Sequence, residues 1–327
     1  MELPRPGPFR PPWWARGPHL QTVLGHLLRG GIPDVPWEAA RLDLGDGDAL
    51  ALRVTPGASG RAVVLLHGLG GRAGSAYMRR AAAVAAARGH AVIAANHRGA
   101  GEGRGLAARP YHSGATGDVA AVIAFARERF GGAHVTAVGF SISANMLLLL
   151  LGRDRHLALP DAAIAVNPPG DLDAGSLRLG RGANRLYDRR FVRLVRREVE
   201  GRAGAGPLPP TPTLRDFDEV YTARAAGFAD RADYYARCSC SPHLAGIRVP
   251  TVLIAAEDDP FAPASDLGPT SDAVHLHVEA HGGHMGFLAA GATTRFWLDT
   301  ALDHYLALLG PAGDAPAGTA GGGGAPG

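Results

Sequence analysis

Ser141 stands where an apolar run, "HVTAVGF", ends and a leucine-rich stretch, "ISANMLLLLL", begins. A hydroxyl is a poor choice at the junction of a buried strand and a buried helix unless it performs chemistry. A serine on a sharp strand-to-helix turn presents its oxygen as a nucleophile, but the turn strains the serine and brings its neighbours close. The residues two before and two after must therefore be small, and Gly139 and Ser143 fill those places. Ser141 is the candidate nucleophile and Ser143 the small packing residue. The reverse assignment fits worse, because the strand would then overrun by two residues.

A serine needs a base, and the base needs an orienting acid. "IAAEDDPFAP" places two acids at the end of an apolar run, and "EAHGGHMGF" places two histidines after the last one. His284 is favoured over His281, since the glycines before it let the ring reach back to the serine. Asp259, directly before Pro-Phe, is favoured over Asp258, which would then bind loop amides. Two histidines and two acids could also hold zinc, although a hydrolytic site of that kind lacks the H-E-x-x-H helix. "LLHGLGG" ends an early strand in a glycine loop. There the backbone N–H of Leu69, with that of Ile142, would form an oxyanion hole, and His67 would orient the loop.

These residues need a scaffold. Apolar runs such as "RAVVLL", "AVIAA" and "AAIAV" read as buried strands and alternate with helical patterns. "SAYMRRAAAVAAARG" is a helix closed by Gly89, and Asp118 is placed to cap "GDVAAVIAFARERF". The alternation predicts an α/β chain with a mostly parallel central sheet covered by helices on both faces. With the order Ser, Asp, His it predicts the α/β-hydrolase fold. The alternation lapses over about 170–248, which is expected to insert a helical cap. One domain over 1–309 is expected, with an N-terminal arm over about 1–36. The Gly/Pro/Ala-rich end, 310–327, is expected to be a disordered tail.

Composition excludes several other chemistries. The 33 cations are all arginine, so neither a P-loop lysine nor a Schiff base is available. The net charge of +3 favours no nucleic-acid surface. The densest run, "RRFVRLVRREVEGR", has apolar residues at helical spacing and reads as a solvated amphipathic helix, with an anionic surface or substrate as its alternative partner. Cys238 and Cys240 sit too close in sequence to staple distant segments, and the start lacks an apolar signal-peptide core. No apolar run is long enough to span a membrane. A cytoplasmic enzyme without cofactor is expected, with no nucleic-acid partner and no stable membrane insertion. Its oligomeric state is left open.

Several motifs together are more specific. "FRPPWWARGPHLQTVL", "HGLGG", "NHRGAGE", "RPYHSGATGD", "VGFSISANMLLLLLG", "GFADRADYYARCS", "DDPF" and "HGGHMGF" occur in this order from about Phe9 to His304. In this the chain resembles the YheT-like hydrolases, a bacterial group related to eukaryotic α/β-hydrolase-domain proteins and to fungal medium-chain ester synthases. The resemblance implies a carboxylic-ester hydrolase using Ser141, Asp259 and His284 on short or medium acyl esters. Acyl transfer to an alcohol and a binding protein without catalysis are the alternatives. Members usually read S-L-G-G-N at the serine, whereas this chain has S-I-S-A-N, so the space behind the nucleophile should be narrower. Trp13 and Trp14 are expected to dock the arm on the body, with membrane or acyl chains as their other possible contact. "RPYHSGATGD" is expected to form a loop beside the site.

Overall fold

The computed structural model describes residues 1–28, 31–32, 34–199, 208–290 and 295–311. Its centre is an eight-stranded sheet in the order β1-β2-β4-β3-β5-β6-β7-β8. The strands are β1 Glu38–Asp43, β2 Ala49–Thr55, β3 Arg61–Leu66, β4 Ala91–Ala95, β5 His134–Phe140, β6 Ala162–Val166, β7 Thr251–Ala256 and β8 Val274–Glu279. β1, β2 and β4 pair antiparallel, and from β4 to β8 every pairing is parallel. Every residue of β3, β4, β6 and β7 is buried, as strands covered on both faces must be. β1 is different: half-exposed and polar, it forms an edge that carries no apolar signature in the sequence.

In chain order the helices are α1 Pro18–Leu27, α2 Ala76–Ala87, α3 Thr116–Arg129, α4 Ile142–Gly152, α5 Leu172–Leu179 and α6 Arg185–Glu198. After these, α7 Leu214–Phe217 runs through a π-helical turn, Asp218–Thr222, into α8 Ala223–Ala225; α9 Arg231–Cys238 and α10 Trp297–Leu308 complete the set. α3 and α4 pack into the apolar cluster on one face of the sheet, and α2 and α10 into the cluster on the other. All five leucines of α4 are fully buried, which accounts for a helix apolar on every side. α5 to α9 lie between β6 and β7. The arginine-rich run falls in α6 up to Glu198, its end from 200 lying outside the described residues; α6 buries Val192 and Val195 and turns its arginines outward.

Two local expectations need correction. Asp118 does not cap α3. The helix begins at Thr116, and Asp118, inside its first turn, takes two hydrogen bonds from the Arg98 guanidinium, both at 2.7 Å. Arg98 also donates to Asp48 at 2.6 Å, so its charge is matched within a buried cluster. Nor does Trp13 dock the arm, since it is 81% exposed, while Trp14 is 38% exposed. Docking falls instead to Phe9, whose ring lies 5.7 Å from that of Phe287, and to fully buried Gln21. Cys238 and Cys240 are free and buried, and burial pushes both thiols up to about 12. The start of the last helical pattern and the tail from 312 lie outside the described residues.

Candidate active site

β5 delivers Ser141 onto α4 through a backbone of φ +54° and ψ −118°, a strained conformation for a residue with a side chain. Gly139 is required by the turn: a Cβ there would lie 2.5 Å from the carbonyl oxygen of Ser143. Ser143 does more than fill space. Its hydroxyl donates to the His67 carbonyl at 2.5 Å and pairs with His97 Nε2 at 2.6 Å. His97 N–H in turn meets His67 Nε2 at 3.2 Å, and His67 Nδ1 meets Gly68 O at 2.8 Å. This pattern assigns neutral rings, protonated on Nδ1 in His67 and on Nε2 in His97. Burial agrees, pushing His97 down to about 4 and His67 well below the usual histidine value. The hydroxyl where the family pattern has glycine thus completes a buried polar network. His67 orients the glycine loop, as its position suggested.

Asp259 follows β7 and is buried. One of its oxygens accepts from Phe261 N at 3.1 Å and Ala262 N at 2.9 Å. The other accepts from Asn167 Nδ2 at 2.8 Å and meets His284 Nδ1 at 2.7 Å. The far side of the ring, His284 Nε2, lies 2.8 Å from Ser141 Oγ. Burial alone would raise the Asp259 carboxyl. The His284 ring and the two backbone amides outweigh it and hold the carboxyl below the usual range. The alternative pair does not reach the serine. Asp258 accepts from Gly283 N at 2.8 Å, and His281 Nδ1 stands 3.5 Å from its other oxygen, so this pair props the histidine loop.

That loop is also gripped from the arm. His284 N–H donates to Thr22 Oγ1 at 2.9 Å, and Gln21 bridges α1 to Leu288 through bonds of 3.1 and 2.7 Å. Glycines make the approach possible. A Cβ on Gly283 would lie 2.5 Å from Pro18 O, and one on Gly286 would lie 2.3 Å from Gln21 O. Gln21, Thr22, Asn167 and Phe261, whose ring centre is 4.2 Å from that of His284, are site residues that sequence reasoning missed. Asn167 left a faint signal, a polar residue ending the apolar β6, and it takes up a left-handed φ of +46°.

Above Ser141 opens a cavity lined by apolar groups such as Tyr111, Leu172, Phe191, Val195, Phe217 and Phe261. Pro110 to Ser113 of the expected loop also line it. Gly68 packs against the serine, since a Cβ there would lie 3.3 Å from Ser141 Cβ. The flanking amides are occupied: Gly68 N–H donates to Tyr77 Oη at 2.8 Å and Gly70 N–H to Tyr111 Oη at 3.0 Å. Leu69 and Ile142 also border the cavity, and among the described residues their amides have no acceptor. Two carboxyls, of Glu198 and Asp218, also border it. Asp218, in the π-helical turn, accepts from Tyr235 Oη at 2.7 Å, and burial pushes it up to about 6 against that bond.

A serine joined through histidine to a buried aspartate, on a sheet of this order, defines the α/β-hydrolase class, and the family profile of the α/β hydrolase fold matches residues 61–290. Among curated relatives, YheT of Escherichia coli (strain K12), whose name proposes an esterase, is 34% identical over 88% of this chain and 89% of its own. The medium-chain fatty acid ethyl ester synthase/esterase 2 of Saccharomyces cerevisiae is 26% identical over 69% of this chain and 58% of its own. A solved esterase of Pyrococcus furiosus, Pf2001, superposes with a TM-score of 0.52 at 15% identity, over 88% of this chain and 91% of that one, and shows the fold alone. The chain belongs to the α/β-hydrolase fold family, in its YheT-like group. Among the described residues no helix is long and apolar enough to cross a membrane.

Proposed function

We propose that this carboxylic ester hydrolase works through an acyl-enzyme on Ser141, with His284 as base and acid and Asp259 as the group that orients it. The observation that carries the reading is the line of contacts from Asp259 Oδ2 through His284 to Ser141 Oγ, at 2.7 and 2.8 Å, on the floor of an apolar cavity. Ser141 Oγ attacks the ester carbonyl while His284 Nε2 takes its proton. The oxyanion is met by the amides of Leu69 and Ile142, and the alcohol leaves with the proton held on His284. A water then repeats the sequence on the acyl-enzyme, releasing the acid and restoring the serine. Asp259 stays ionised and stabilises the imidazolium.

The substrates are small-molecule esters of short or medium acyl chains, which suit a largely apolar cavity of limited size. α5 to α9 form the cap over it, within a single domain. A panel of p-nitrophenyl esters of increasing acyl length tests the reading. Turnover should peak at short or medium chains and fall by roughly a thousandfold or more in Ser141→Ala. Equal turnover by both proteins would refute it.

A second reading, acyl transfer to an alcohol, is favoured by the synthase named among the relatives. The same acyl-enzyme would be resolved by an alcohol in place of water. Ethyl ester formed in the presence of ethanol supports it, and free acid as the only product removes it.

A further inference from the structure

Among the described residues nine large apolar side chains are exposed, and five of them, Trp13, Trp14, Leu20, Val23 and Leu27, lie within fifteen residues of chain. Leu20, Val23 and Leu27 share the outward face of α1, at i, i+3 and i+7, while Gln21 and Thr22 hold the inward face. The two indoles precede them on a short turn, Trp13–Ala15. This concentration is what a soluble surface ordinarily avoids.

Beside it stands α6. His19 Nδ1 meets Tyr187 Oη at 3.0 Å, and Arg190 Nη2 meets His26 Nε2 at 2.7 Å, so the two helices present adjoining surfaces. Arg185, Arg189, Arg190, Arg193, Arg196 and Arg197 are all exposed, and no ion pair of theirs is found among the described residues. The two acids of this helix do not balance them on the outside, because Asp188 is buried and Glu198 borders the cavity. Leu186, at the start of the same helix, is 68% exposed.

We infer that α1 with its two indoles and the arginine face of α6 form one docking surface for an anionic phospholipid bilayer. Exposed apolar groups beside guanidiniums with no ion pair among the described residues match a layer that offers acyl chains next to phosphates. Indoles and leucines reach the acyl boundary while guanidiniums meet the phosphates. A second copy is a poor occupant, because a self-complementary contact would bring two arginine faces together. The inference stands without the proposed chemistry. It would place a layer of acyl esters against the helix that holds the His284 loop and the helix that contributes Phe191 and Val195 to the cavity.

The test is co-sedimentation of the full chain with vesicles of phosphatidylglycerol and phosphatidylcholine in equal parts, and with phosphatidylcholine alone. Binding is expected to the mixed vesicles only, and to weaken as salt is raised. Replacing Arg189, Arg193 and Arg197 with Gln should weaken it on the order of a hundredfold, at about fivefold per arginine. Trp13→Ala with Trp14→Ala should weaken it more than about tenfold. Turnover of a soluble p-nitrophenyl ester, unchanged in both variants, shows that each has folded. If one does not fold, the other decides. No sedimentation of the native chain with the mixed vesicles, or undiminished binding by the variants, overturns the inference. So does a lipid-free dimer that the tryptophan variant disperses, which would assign the face to a second copy.

Discussion

The backbone N–H of His284 donates to Thr22 Oγ1 at 2.9 Å, across 262 residues of chain. The ring that joins Ser141 to Asp259 is therefore positioned by a helix near the amino terminus as well as by its own loop. Both acid–base steps proposed for it depend on that ring standing at hydrogen-bond distance from the serine, so small displacements are costly.

Thr22→Val keeps the shape of the side chain and removes its acceptor. The expected result is a fall in kcat of about tenfold with KM nearly unchanged, because substrate binding is untouched while the base is misplaced. Thr22→Ser should restore most of the loss. Steady-state kinetics of the three proteins on one soluble ester checks this, and a change confined to KM would speak against a positioning role.

Asp259→Asn should lower kcat on the order of a thousandfold or more, the effect expected when the orienting acid of such a set is neutralised. Asp258→Asn keeps an acceptor for Gly283 N and should cost less than about tenfold. Comparable losses in the two variants would show that the acid has been misassigned.

Ser143→Ala leaves the His67 carbonyl and His97 Nε2 without the hydroxyl they share. They keep their own contact of 3.2 Å, so stability should fall by about 1 kcal/mol, the net worth of a buried hydrogen bond, measured by urea denaturation. Covalent labelling at residue 141 should persist in the folded fraction. Loss of labelling in well-folded Ser143→Ala would mean that the second serine carries the chemistry.

Asp218 gives the stability a pH dependence with a definite sign. Burial raises its carboxyl from 3.8 to about 6 in the folded chain. Between these values the folded protein holds a proton that the unfolded chain has released, so stability falls as pH rises through the window and stays lower above it. Asp218→Asn keeps an acceptor for Tyr235 and removes the ionisation. It should stabilise the fold at pH 8 by on the order of 1–3 kcal/mol, read as a higher Tm than the native chain's, with no gain near pH 4. Parallel melting curves at the two pH values check it.

The elements that were legible in the sequence are those that sequence-local physics dictates. β3 to β7 are short apolar runs flanked by glycine or polar residues, and Ser141 stands out because the turn around it demands Gly139 and a small residue at 143. Asp259 and His284 could be ordered by the residues beside them. Thr22, Gln21 and Asn167 could not, because a threonine in a helix acquires its role only when a loop 262 residues later comes to rest on it. β1 escaped notice because an exposed edge strand needs no apolar pattern. Trp13 was misplaced by the rule that large aromatics seek the core, a tendency of averages that leaves single exceptions on the surface.

The most direct measurement is reaction of the purified chain with a fluorophosphonate, followed by mapping of the modified peptide. Stoichiometric attachment at the residue following Phe140, greatly slowed in His284→Ala, is the predicted result. Attachment elsewhere, or none at all while ester turnover continues, would contradict it.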